Sequence, residues 1–144
     1  MAGPPSPRLT HLALAVADLD ATIDWYGEFT DLEVVHERRD TDGSVAWLGE
    51  PDRVEHPFVL VVACLDEMPE PGPSVHGFAH LGIELPARAD VDAIAERGRV
   101  AGCLAWEPQD LGPPVGYLCA LTDPDGNLVE FSFGQGIYDA VAGV

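Results

Sequence analysis

His11-Leu12-Ala13-Leu14-Ala15-Val16 and His80-Leu81-Gly82-Ile83-Glu84-Leu85 are two short apolar runs, each opened by a histidine and each leading into an Asp- and Ala-rich stretch. An apolar run of this length followed by a helical stretch reads as strand then helix. From the first run the order continues as a strand over 9–16, a helix start at Asp18-Leu19-Asp20, and a helix through Trp25 and Tyr26. Asp18 is placed to cap that helix, and Asp20 lies in its first turn, where a carboxylate opposes the helix dipole. Strands follow near 33–38, 44–48 and 57–65, with Asp42-Gly43 as a hairpin turn between the first two. From the second run the same order returns: strand 78–85, helix 90–101, and strands near 103–107, 116–121 and 127–133. The chain is therefore two copies of a strand-helix-strand-strand-strand module, an α+β arrangement.

The second copy ends in Asp123-Pro124-Asp125-Gly126-Asn127-Leu128-Val129-Glu130-Phe131, a turn leading into a strand that carries a carboxylate. Strand alternation places Glu130 on a face with Leu128 and Ser132, and leaves Val129, Phe131 and Phe133 for the face a helix covers. The same parity groups His80 with Gly82 and Glu84, and His11 with the small residues Ala13 and Ala15. Two imidazoles and a carboxylate, each on a short strand, form a donor set suited to a divalent metal with positions left open for chemistry. Counting back from Glu130 into the first copy sets Leu60 in its place, so the copies share architecture but not this carboxylate.

Composition bounds the rest. In 144 residues there are seven Arg, no Lys and 25 Asp plus Glu, a formal charge of -18. Such a balance argues against nucleic acid and anionic membranes, and favours neutral or cationic small molecules. No apolar run approaches the ~20 residues of a membrane span, and the Pro-rich stretch 1–8 lacks a secretory core, so a disordered lead-in and a cytoplasmic protein are expected. Cys64, Cys103 and Cys119 show no paired spacing, and buried free thiols account for the two in apolar runs. A Pro- and Gly-rich linker is expected over 68–77, between modules 9–67 and 78–133, with 134–144 as a tail. No phosphate-binding glycine loop or Ser/His/Asp signature is present.

The paired His-led strands, the helix after each, and Asp123-Pro124-Asp125-Gly126-Asn127 before Val129-Glu130-Phe131 resemble the vicinal oxygen chelate superfamily. That group includes glyoxalase I, extradiol dioxygenases, fosfomycin-resistance enzymes and bleomycin-binding proteins. The resemblance implies two βαβββ modules forming an incomplete barrel around a central cup, a homodimer, and a small-molecule substrate chelating the metal through an oxygen pair. His11, His80 and Glu130 match the metal ligands of metal-dependent members, for Fe, Mn, Zn, Ni or Co. Trp47 and Tyr117 are expected as pocket walls with Glu84 at the rim, whereas Trp25, Tyr26 and Trp106 are read as packing residues outside the cup.

Three departures narrow the resemblance. Glyoxalase I supplies a further ligand near the Leu60 position, which is apolar here. Extradiol dioxygenases place a Tyr where this chain has Ala120. Fosfomycin-resistance enzymes surround a phosphonate with Lys and hydroxyl groups, and this chain has no Lys and Ala13 at one such position. The alternative within the resemblance is a metal-free protein that sequesters an antibiotic, which the acidic charge would suit.

Overall fold

The computed structural model describes residues 9–67, 72–73 and 78–143. The expected lead-in over 1–8 and most of the expected linker lie outside them. The chain divides into two compact units, Met1–Ser74 and Val75–Val144.

In the first unit, β1 (His11–Ala15) leads into α1 (Leu19–Phe29), followed by β2 (Glu33–Asp40), β3 (Gly43–Gly49) and β4 (Val59–Leu65). Their sheet has the order β1-β4-β3-β2, with β1 parallel to β4 and the other pairs antiparallel. Asp18 caps α1 as expected, its carboxylate accepting the Ala21 N–H at 3.0 Å. Leu14, Ala46, Leu48, Leu60 and Val62 are buried on one face of the sheet, and Tyr26 and Phe29 of α1 are buried with them. Gly43 closes the β2–β3 hairpin at φ 140°, and a Cβ there would lie 2.5 Å from the Leu65 side chain.

The second unit repeats the plan. It comprises β5 (Leu81–Glu84), α2 (Arg88–Ala101), β6 (Leu104–Asp110), β7 (Tyr117–Thr122) and β8 (Leu128–Phe133), with sheet order β5-β8-β7-β6. A short helix, α3 (Ile137–Ala142), forms within the segment expected as a tail, and it buries no residue. Val91, Ile94 and Gly98 of α2 are buried, and a Cβ on Gly98 would meet Leu121 at 2.7 Å, so the helix lies close on the sheet. Among the described residues no helix is long and apolar enough to cross a membrane.

The two sheets share an irregularity. Val34 pairs with Leu48 but His36 pairs with Trp47, so two steps along β2 match one along β3. Leu104 pairs with Leu121 and Trp106 with Ala120 in the same way. A bulge of this kind turns the next side chain to the opposite face.

Candidate functional site

The register of β8 is set by the turn before it. Asp123 is buried, and its carboxylate accepts the N–H groups of Asp125 (3.0 Å) and Asn127 (2.9 Å) and the Asn127 side-chain amide (3.0 Å). The Asp123 N–H donates to the Asn127 carbonyl, closing the hairpin between β7 and β8. The Asp-Pro-Asp-Gly-Asn motif is thus a folding element, and its role is to hold Glu130 opposite Ala120 and beside Gly82.

One row therefore crosses the sheet from Trp106 through Ala120 and Glu130 to Gly82. Glu130 is buried, at 6% exposure. Burial of a carboxylate is costly unless it is paired, and Glu130 has two partners. Its Oε2 accepts the Gln135 side-chain amide at 3.1 Å. Its Oε1 lies 3.5 Å from His80 Nε2.

His80 sits just before β5, and its Nδ1 lies 2.6 Å from the Phe78 carbonyl. A carbonyl only accepts, so Nδ1 carries the proton and a neutral imidazole presents a bare Nε2 toward Glu130. Two lone pairs facing each other repel unless a positive charge lies between them, either a second ring proton or a metal cation. Trp106 meets the His80 ring edge-on at 5.7 Å, and Phe78 does so at 5.3 Å. Gly82 leaves the flank of the carboxylate open: a Cβ there would rest 3.9 Å from Glu130 Oε2. Ser132, on the same face of β8, is fully buried, and its hydroxyl has no hydrogen-bond partner among the described residues.

The other expected site residues fall in three places. His11 is exposed at the start of β1 in the first unit, with Thr10 Oγ1 at 2.9 Å from its Nδ1. Trp47 is 43% exposed and stands in the row His36–Trp47–Val61–Ala13, with the His36 ring centroid 4.9 Å away. Glu84 is exposed at the end of β5 and lines a cavity of about 550 Å³ with Pro86, Phe133, Ile137 and Tyr138. Among the described residues no group of three or more His, Cys, Asp or Glu is gathered for a metal.

Three expectations are corrected. Tyr117 does not share the Glu130 face: it has the parity of Cys119 and Leu121, which lie against α2. Arg88 of α2 stacks 3.8 Å over its ring, and its hydroxyl donates to Asp92. That hydrogen bond holds the phenol above its ordinary range, while Arg88, aided by the Gly112 N–H, draws the Asp110 carboxyl below its own. This cluster ties α2 to the sheet. The second correction concerns register: the first-unit counterpart of Glu130 is Val61, which pairs with Ala13 as Glu130 pairs with Gly82. Leu60 lies on the helix-covered face. The position is apolar either way.

Trp106, expected as a packing residue outside the cup, instead shares the Glu130 face, and Gln135 is the contact that sequence reasoning passed over. Trp106 reaches the Glu130 face only because of the bulge in β6. Gln135 lies between two glycines at φ 84° and 70°, which turn the chain back toward Glu130, and no periodicity announces such a contact.

Residues 8–131 match the family described as the Glyoxalase/Bleomycin resistance protein/Dioxygenase superfamily. The uncharacterized protein PA2024 of Pseudomonas aeruginosa is 45% identical over 133 residues, spanning 90% of this chain and 91% of its own. A glyoxylase/bleomycin resistance protein/dioxygenase domain from Frankia sp. EAN1pec superposes with a TM-score of 0.69 at 26% identity, covering 90% of this chain and 93% of that one. The trypanothione-dependent glyoxalase I of Leishmania major gives a TM-score of 0.68 at 20% identity, covering 96% and 94%. The last likeness is one of fold.

Proposed function

Because the chain belongs to the Glyoxalase/Bleomycin resistance protein/Dioxygenase superfamily, we propose that it is a metal-dependent enzyme acting on a small organic molecule that chelates the metal through an oxygen pair. The observation that carries this reading is the His80–Glu130 pair. Its ring proton is committed to the Phe78 carbonyl, and its free Nε2 faces a buried carboxylate oxygen across 3.5 Å. Donors held ~2.1 Å from one ion at a tetrahedral angle stand about 3.4 Å apart. The donor types and their spacing fit a divalent cation, and the Phe78 contact is the kind that orients a ligating imidazole.

His11 is the third donor in this proposal. It occupies the position in β1 that His80 holds before β5, and the Thr10 contact at Nδ1 leaves its Nε2 available. Fe, Mn, Zn, Ni and Co all suit two imidazoles and a carboxylate. When bound, such an ion supplies Lewis-acid polarisation of a substrate oxygen pair or, as Fe(II), activation of O₂. The chain's own residues do the rest. Trp106 walls the His80 side and excludes water, and Gly82 leaves room beside the carboxylate. Trp47 offers an aromatic surface in the first unit. The working form is a cytoplasmic homodimer in this reading, supported by the exposed apolar residues Ile137, Tyr138 and Val141 of α3.

Metal content per chain, measured by plasma mass spectrometry on protein purified without a histidine tag, tests the proposal. Near-stoichiometric metal that disappears in His11→Ala, His80→Ala and Glu130→Ala is the expected result. A wild type that stays empty after reconstitution with each of the five metals overturns it. The charge of -18 would then favour the second reading, sequestration of a cationic antibiotic without metal.

A further inference from the structure

The Glu130 carboxylate is divided between two tasks. Oε1 faces His80 Nε2, while Oε2 accepts the Gln135 amide at 3.1 Å. Without Gln135 both oxygens would be free to turn about the terminal torsion, which is broad and roughly two-fold for Glu. Gln135 does not reach Glu130 by strand pairing. It lies beyond the end of β8, in the segment Gly134-Gln135-Gly136, where both glycines adopt a left-handed backbone that a larger residue would resist. The next residues form α3, which buries none of its side chains. The tail's contribution to core packing is therefore slight, yet it delivers one neutral donor to a buried carboxylate. Among the described residues Gln135 is the hydrogen-bond donor to Oε2.

We propose that Gln135 is a positioning residue for the metal site: by holding Oε2 it reserves Oε1 for the cation and makes Glu130 a one-oxygen ligand. This inference rests on the metal-dependent reading above. A neutral amide suits the task, because it restrains the carboxylate without cancelling the negative charge the cation needs. A lysine or arginine in its place would compete with the metal for that charge. The C-terminal segment, otherwise an appendage to the second unit, thereby acts on the ligand it follows.

The test is Co(II) binding to chelator-stripped full-length protein, read both as affinity by competition with a chromophoric chelator and as the visible spectrum of the bound ion. Gln135→Ala and the similarly shaped, donor-free Gln135→Met are expected to weaken Co(II) by roughly 10–100-fold, the range for loss of a residue that orients a ligand. Both should alter the spectrum, since a carboxylate freed to bind through both oxygens changes the coordination number. Val100→Ala, exposed on α2, should match the wild type in both readouts. Thermal unfolding of the stripped proteins should be alike, separating positioning from fold. Co(II) affinity and spectrum unchanged in Gln135→Met overturn the inference while leaving the metal site standing. A wild type that takes up no Co(II) overturns the metal-dependent reading, and this inference with it.

Discussion

The open row of the first sheet reads His36–Trp47–Val61–Ala13, and that of the second reads Trp106–Ala120–Glu130–Gly82. The two rows occupy equivalent strands, and both start after a bulge in the edge strand. They differ in where the carboxylate and the large aromatic lie. The first has an apolar residue on the central strand and its tryptophan one strand over. The second has the acid on that central strand, an alanine beside it, and its tryptophan on the edge. A duplicated scaffold thus carries a row with a buried carboxylate in one copy and an aromatic, largely apolar row in the other. Architecture is set by the buried faces, which match in kind, and chemistry by the opposite faces, which are free to diverge.

The largest effect that would break or sharpen this contrast is on metal uptake. Glu130→Ala should lower metal affinity by more than the ~100-fold expected for losing an orienting residue, whereas Val61→Ala, at the equivalent position, should leave metal content unchanged. Equal losses in both would erase the asymmetry. Next comes the connection that places each central strand. Asp123→Ala removes three hydrogen bonds to a buried carboxylate, each worth about 1.5–3 kcal/mol when charge-assisted but not additive, so a loss of about 3 kcal/mol in urea unfolding is expected. Alanine at Asp52, in the longer and exposed connection of the first unit, should shift the midpoint little.

The helices provide a smaller test. Gly98→Ala drives a methyl into Leu121, whose branch atoms lie 2.7–3.0 Å from the new carbon, and should cost about 1–3 kcal/mol of overpacking. Gly27→Ala in α1 meets nothing within 4 Å and should stabilise by roughly 0.5–1 kcal/mol through helix propensity. Thermal denaturation of the two variants should move in opposite directions.

The last expected effect concerns pH and vanishes near neutrality. Burial, helped by the charges of Asp92, Glu130 and Glu107, pushes the Cys119 thiol from 9.0 up to about 12. The unfolded chain releases this proton first, so the contribution is intact below pH 9.0 and is lost as pH rises toward about 12. Cys119→Ala should flatten the stability profile in that window, and thiol titration should label Cys119 only after unfolding.

The fold was legible because its signals are local. Asp18 announces a helix start, Asp42-Gly43 a hairpin, and two His-led runs a repeat; all three appear in the structure where expected. The site was legible in part. His80 and Glu130 meet because the Asp123 turn fixes a register that alternation can follow from either side. The same parity, counted back from Ala120 opposite Glu130, turns Tyr117 toward α2, so that expectation failed on information the chain contains. Trp106 is different. Alternation from Leu104 assigns both residues to one face, and only the unpaired step between them separates them. Gln135 depends on two backbone angles outside any repeating element, where periodicity has nothing to say.

The bulge in β6 has a consequence for how this protein could be altered. Ring identity beside His80 is encoded by length as well as by residue type: Ala105 is a spacer, and the side chain that follows it inherits the position. Adding one residue after it, with the bulge kept, would bring the new side chain opposite Ala120 and send the indole to the helix side. A one-residue insertion could thus exchange the ring beside His80 for another side chain while every other position kept its residue. Close relatives could then differ in what they accept through a change that a column-by-column comparison of residues would record as a mere gap.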